Sequence, residues 1–126
     1  MKRLLFLLLL VAAPLCAAEP DSSGFYQLFD GKSLDGWRET PFTGKGQSRV
    51  ENGAIILGAG NPMTGLNYTG AFPKSNYEVR FEAARLQGGD FFASLTFPVG
   101  DSFATWVTGG WGGSVVGLSS IDGLDA

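Results

Sequence analysis

Beyond residue 18, no stretch of this chain sustains the periodicity of a helix; short β-prone runs alternate with glycine-rich breaks. That pattern restricts the fold to all-β architectures. The strongest period-two alternation spans residues 76–86, with Tyr77, Val79, Phe81 and Ala83 on one side and Glu78, Arg80 and Glu82 on the other. It predicts a strand with one buried and one polar face. Arg49-Val50 and residues 54–57 flank Glu51-Asn52-Gly53, and two β-prone runs about Asn-Gly predict a hairpin. Further strands are predicted over residues 91–97, where Phe91, Ala93, Leu95 and Phe97 share a face, and over 102–108 and 115–118. Residues 25–29 form a short apolar run stopped by turn chemistry over 30–36, which has Asp-Gly at both ends. Several short strands without intervening helices predict an antiparallel β-sandwich or jelly roll. A small barrel is the alternative, disfavoured by the uneven strand lengths.

At the start of the chain, Lys2 and Arg3 precede an unbroken apolar run over residues 4–13, then Pro14 and the small-residue stretch Cys16-Ala17-Ala18. This predicts a signal peptide over residues 1–18, cleaved after Ala18, and export to the periplasm or the extracellular space. Lipidation at Cys16 would call for a small residue where Leu15 stands. The apolar run also falls short of the roughly 20 residues that span a bilayer, so no membrane association is expected after cleavage. Residues 19–24 read as a flexible leader and 25–126 as one domain with a single small core.

The whole chain holds 9 basic and 12 acidic residues; the first 18 take two of the basic and none of the acidic, leaving a net charge of −5. That balance argues against nucleic acid or an anionic membrane surface as partner, since both reward clustered Lys and Arg. There is no histidine, and the single cysteine lies in the predicted signal. A Ser-His-Asp triad, a Cys-His pair, a thiolate zinc site and a disulfide framework are therefore excluded. Acid–base chemistry is left to Asp, Glu, Lys or Tyr, and any metal to oxygen ligands. Asp30-Gly31-Lys32 does not fit a calcium loop, so calcium, though compatible with oxygen ligands, has no motif behind it. Gly58-Ala59-Gly60 lacks the third glycine of a dinucleotide fingerprint, and no cofactor is evident.

The segment Leu28-Phe29-Asp30-Gly31-Lys32-Ser33-Leu34-Asp35-Gly36-Trp37-Arg38 resembles the opening motif of the 3-keto-disaccharide hydrolase domain family. Val50-Glu51-Asn52-Gly53-Ala54-Ile55 resembles its second landmark, and Asn76-Tyr77-Glu78-Val79-Arg80-Phe81-Glu82 its third. The resemblance covers residues 25–126. It implies a concanavalin A-like jelly-roll sandwich, whose C-terminal part is expected to be missing here, and action on glycosides oxidised at C3. Many members follow the third landmark with an Asn-Ser-Gly turn and an arginine-bearing strand. Residues 88–97 have neither, which marks a divergent branch.

The implied chemistry has a direct physical logic. A ketone at C3 acidifies the C2 proton, and the glycosidic oxygen on C1 lies β to that ketone. A base removes the proton and the leaving sugar is expelled, which requires a base, an electrophile for the enolate and a grip on the ring. Glu78, Arg80 and Glu82, about 7 Å apart at same-side strand positions, are candidates for the base (Glu78, Glu82) and for substrate binding (Arg80). The ordinary alternative is a solvated face with weak ion pairs. Asp90, after Gly88-Gly89, is a third candidate base or an ordinary turn aspartate. Trp106 and Trp111 are candidates for stacking on a sugar; Trp111, among the glycines of residues 109–113, either stands at a rim or packs across the sheet. Trp37 is expected to be a core residue that seals the opening turn. Two other readings compete with an exported enzyme: a lectin-like carbohydrate-binding module, and an inactive truncated product with exposed edge strands.

Overall fold

A computed structural model describes residues 19–126; the predicted signal peptide lies outside them. The chain is nearly all β, in three antiparallel sheets, consistent with a partial β-sandwich. The opening turn forms as its residue types dictate. The Asp30 carboxylate accepts the backbone N–H groups of Lys32 and Ser33, each at 2.8 Å, which holds the loop tight. Trp37 closes it by donating its ring N–H to the Leu28 carbonyl at 2.8 Å. Trp37 also opens β1 (Trp37–Glu39), and its ring meets Tyr68 edge-on with centroids 5.4 Å apart. β2 (Ser48–Glu51) and β3 (Ala54–Leu57) form the expected hairpin. Asn52 and Gly53 sit at φ 50 and 78, the left-handed pair that matches a hairpin's twist. β4 (Leu66–Tyr68) returns to pair with β1.

Glu39 ties β1 to the start of β2. One of its carboxylate oxygens accepts the Ser48 N–H at 3.0 Å and the other pairs with Lys45 Nζ at 2.5 Å. The Lys45 ammonium, then the Ser48 amide, hold the Glu39 carboxyl below its ordinary value of 4.5. A carboxyl depressed in the folded state stabilises the fold above its unfolded pKa, and that contribution is lost as pH falls through the folded value. Glu39→Gln is therefore expected to lower stability at neutral pH and to match the native protein once the carboxyl is protonated. Denaturant midpoints at pH 7 and well below pH 4.5 check this; an equal gap at both pH values would contradict it.

The third sheet, in the order β5 (Leu95–Val99), β6 (Ser102–Gly109) and β7 (Val115–Ser119), supplies the core. Only Ala104 and Val107 of β6 are buried apolar residues among those described, at 4% and 2% exposure. Successive strand residues face opposite ways, so these two anchor opposite faces of the sheet. β6 and β7 lie where the sequence places them. β5 begins at Leu95 rather than Phe91 because Ala93, at φ 50, leaves the extended region.

The strand predicted over residues 76–86 does not form. Its alternation is present in part, with Tyr77 and Val79 half-buried and Glu78 and Arg80 exposed, but Phe81 and the residues after it are exposed. Among the described residues no backbone–backbone hydrogen bond involves residues 76–90. An extended segment becomes a strand only when a neighbour completes its ladder, and here none does. Residues 25–29 likewise stay outside any sheet. No helix among the described residues is long and apolar enough to cross a membrane.

Candidate active site at the glycine turn

β6 runs into a tight turn, Gly110–Gly113, before β7. Within it Trp111 (φ 47, ψ 57) and Gly112 (φ 88) are left-handed. For a residue as bulky as tryptophan this conformation costs about 1–2 kcal/mol and persists only where neighbours impose it. The neighbours are Asp90 and Phe91. One carboxylate oxygen of Asp90, Oδ1, accepts the Phe91 N–H at 2.9 Å and the Gly112 N–H at 3.2 Å, bridging 22 residues of chain. The Phe91 ring lies against Trp111 with centroids 5.1 Å apart and planes tilted by 57°. Trp111 thus stands half-exposed at a rim, supported from one side.

Arg85, which is not among the residues expected from the sequence, joins this corner. Its Nη2 donates to the Asp90 backbone carbonyl at 2.9 Å, and its guanidinium carbon lies 5.1 Å from the centre of the Phe92 ring. Gly109 leaves it room, since a Cβ there would come within 2.6 Å of Nη2. One sequence signal was available: Arg85 falls on the apolar side of the 76–86 alternation, where a cation has no ordinary place.

The other predicted residues lie elsewhere. Glu78 pairs with Arg80 at 2.7 Å in an exposed salt bridge, and the Arg80 guanidinium sits 4.2 Å from the centre of the Phe25 ring. The hydrogen bond from Arg80 holds the Glu78 carboxyl below its ordinary value. Glu82 is exposed and makes no hydrogen bond or ion pair among the described residues. The acid–base–acid row is thus an ion pair with a free glutamate beyond it. Trp106, 44% exposed, stands between Leu95 and Leu118 on the sheet face opposite Val107. Gly110 packs against Val107, so Trp106 faces away from the glycine turn.

A cleft of about 380 Å³, lined by Lys74, Tyr77, Phe97 and Pro98 among others, contains none of the predicted site residues. Among the described residues no three carboxylates gather as metal ligands would.

Residues 24–120 match the model of a family described as the 3-keto-alpha-glucoside-1,2-lyase-like domain. The chain belongs to that family. No curated protein and no solved structure matches it. Membership in the 3-keto-alpha-glucoside-1,2-lyase-like family connects the chain with carbohydrate chemistry and, at the level of the family, with hydrolase or lyase activity. Within this chain, the Asp90–Trp111 corner brings an acid and an aromatic face from the predicted set together.

Proposed function

We propose that the chain is an exported enzyme that cleaves 3-keto-glycosides, with Asp90 as the base. Asp90 takes the C2 proton, the released electron pair forms the C1–C2 double bond, and the C1–O bond breaks. The leaving sugar keeps the glycosidic oxygen and picks up a proton, and water adds to the unsaturated product in a separate step. The observation that carries this reading is the state of the Asp90 carboxylate. Its Oδ1 is held by the backbone amides of Phe91 and Gly112 while Oδ2 makes no hydrogen bond among the described residues, and the half-exposed Trp111 is the chain neighbour of Gly112. A fixed carboxylate with one free oxygen, on a turn that also carries a half-exposed indole, suits proton removal from a bound sugar. Glu78 is the poorer base, because its pairing with Arg80 favours the ionised form and weakens its hold on a proton. Export rests on the signal-peptide pattern of residues 1–18.

The test is to incubate the purified protein with a 3-keto-disaccharide and with its unoxidised parent. Monosaccharide release from the keto form alone is the expected result. A folded protein that leaves both sugars intact would overturn the proposal and return the domain to a lectin-like binding role.

A further inference from the structure

Removal of a C2 proton places negative charge on the C3 oxygen, and neither Asp90 nor Trp111 can carry it. We propose that Arg85 is the electrophile that does so, a catalytic residue acting on the ketone oxygen while Asp90 acts on the neighbouring carbon. This rests on the assignment of Asp90 as base and extends it to the other half of the reacting unit.

Three observations support the assignment. Lys45, Arg49, Lys74 and Arg80 each have a carboxylate partner; Lys32, Arg38 and Arg85 have none among the described residues, and of these three Arg85 is the one hydrogen-bonded to Asp90. Its charge is uncompensated at the corner where the candidate base lies. Next, a guanidinium offers five N–H donors, and the structure uses one of them, on the Asp90 carbonyl. That bond fixes the group and leaves the rest of the fork for an incoming oxygen. Finally, the guanidinium binds the backbone of Asp90 and not its carboxylate, which lies beyond 4.0 Å from it. A direct ion pair would neutralise both groups and close the space between them. Held apart on one residue, they can take opposite ends of a C2–C3=O unit, the base at the proton and the cation at the oxygen. The Phe92 ring supports the guanidinium from one side, and the bare Gly109 gives Nη2 its room beside the turn.

The charges balance without a further reactant. The C2–H electron pair moves through the enolate to the C1–C2 bond as the C1–O bond breaks. Arg85 stays protonated throughout and only donates hydrogen bonds. Its contribution belongs to the transition state, so losing it lowers kcat more than it raises KM.

The test compares Arg85→Gln and Arg85→Lys with the native protein for sugar release from a 3-keto-disaccharide and for exchange of the C2 proton in D2O. Arg85→Gln is expected to lose about 100- to 1000-fold in kcat, the loss typical of one oxyanion donor, and to lose exchange in step with it. KM should change less than about threefold, as for an interaction made only in the transition state. Arg85→Lys should retain part of the rate, and added guanidinium should restore part of it to Arg85→Gln. Tryptophan fluorescence, to which Trp37, Trp106 and Trp111 all contribute, should match the native protein in both variants. If Arg85→Gln keeps its native kcat, Arg85 has no role in the reaction, while Asp90 keeps its own. Equal losses in both variants with altered tryptophan fluorescence would make Arg85 a structural clamp and overturn the proposal. A native protein inert toward the keto sugar would sink the assignments of Arg85 and Asp90 together.

Discussion

Replacing Asp90 with asparagine is expected to lower turnover of a 3-keto-disaccharide by about 1000-fold, within the range that a positioned general base supplies. The substitution isolates the chemistry from the fold. Asparagine keeps a side-chain oxygen where Oδ1 accepts the amides of Phe91 and Gly112, so the glycine turn retains its tie. What disappears is the proton affinity of the free oxygen. Steady-state rates and melting temperatures measured on the same preparations check the two halves separately. The expected pattern is a large loss of kcat with little change in Tm. Unchanged turnover would make Asp90 the ordinary turn aspartate that its Gly-Gly-Asp setting also allows.

Gly113→Ala is expected to be the most destabilising single-methyl change in the turn. Its φ of +95 is one that an L side chain adopts with strain, and a Cβ there would stand 2.5 Å from the backbone carbonyl oxygen of Gly89. Backbone lies on both sides of the contact, so no flexible side chain can yield. Left-handed strain and overpacking together should cost about 2–4 kcal/mol. For a domain of this size that corresponds to a fall in Tm of roughly 10 °C or more. Gly112→Ala is the matched control, with φ +88 but nothing within 4 Å of the added methyl, and should cost only about 1 kcal/mol. Thermal melts of the two variants decide the matter. Equal, small losses would mean that the 88–90 segment does not pack on the glycine turn as described.

Features set by neighbours in sequence were readable before the structure. The hairpin about Asn52-Gly53 follows from a local rule, because left-handed residues suit a two-residue turn. The Asp30 turn and the sealing role of Trp37 were legible for the same reason. β6 and β7 were legible because their β-prone runs are bounded by glycines. The segment 76–86 was misread because alternation reports which residues face a core, while a strand also needs a partner along its edge, and pairing is non-local. The union of β1 with β4 escaped notice on the same grounds: Trp37 opposes Tyr68, with the whole β2–β3 hairpin in between.

The site divided along the same line. Asp90 and Trp111 were chosen for their residue types and glycine neighbours, but the contact between residues 90 and 112 is tertiary and invisible to spacing. The regular row of Glu78, Arg80 and Glu82 is the more orderly constellation in sequence, yet it resolves into one exposed ion pair and a free glutamate. Arg85 went unmarked since its role depends on a carbonyl that the fold brings to it.

The central claim is that Asp90 begins the reaction by taking the proton from C2. The most direct measurement is the rate of sugar release from a 3-keto-disaccharide carrying deuterium at C2, set against the unlabelled compound. The account predicts slower release from the deuterated sugar, with the label lost to solvent as cleavage proceeds. Release at equal rates with deuterium retained at C2 in the product would contradict it, because the C1–O bond would then break without the C2–H bond.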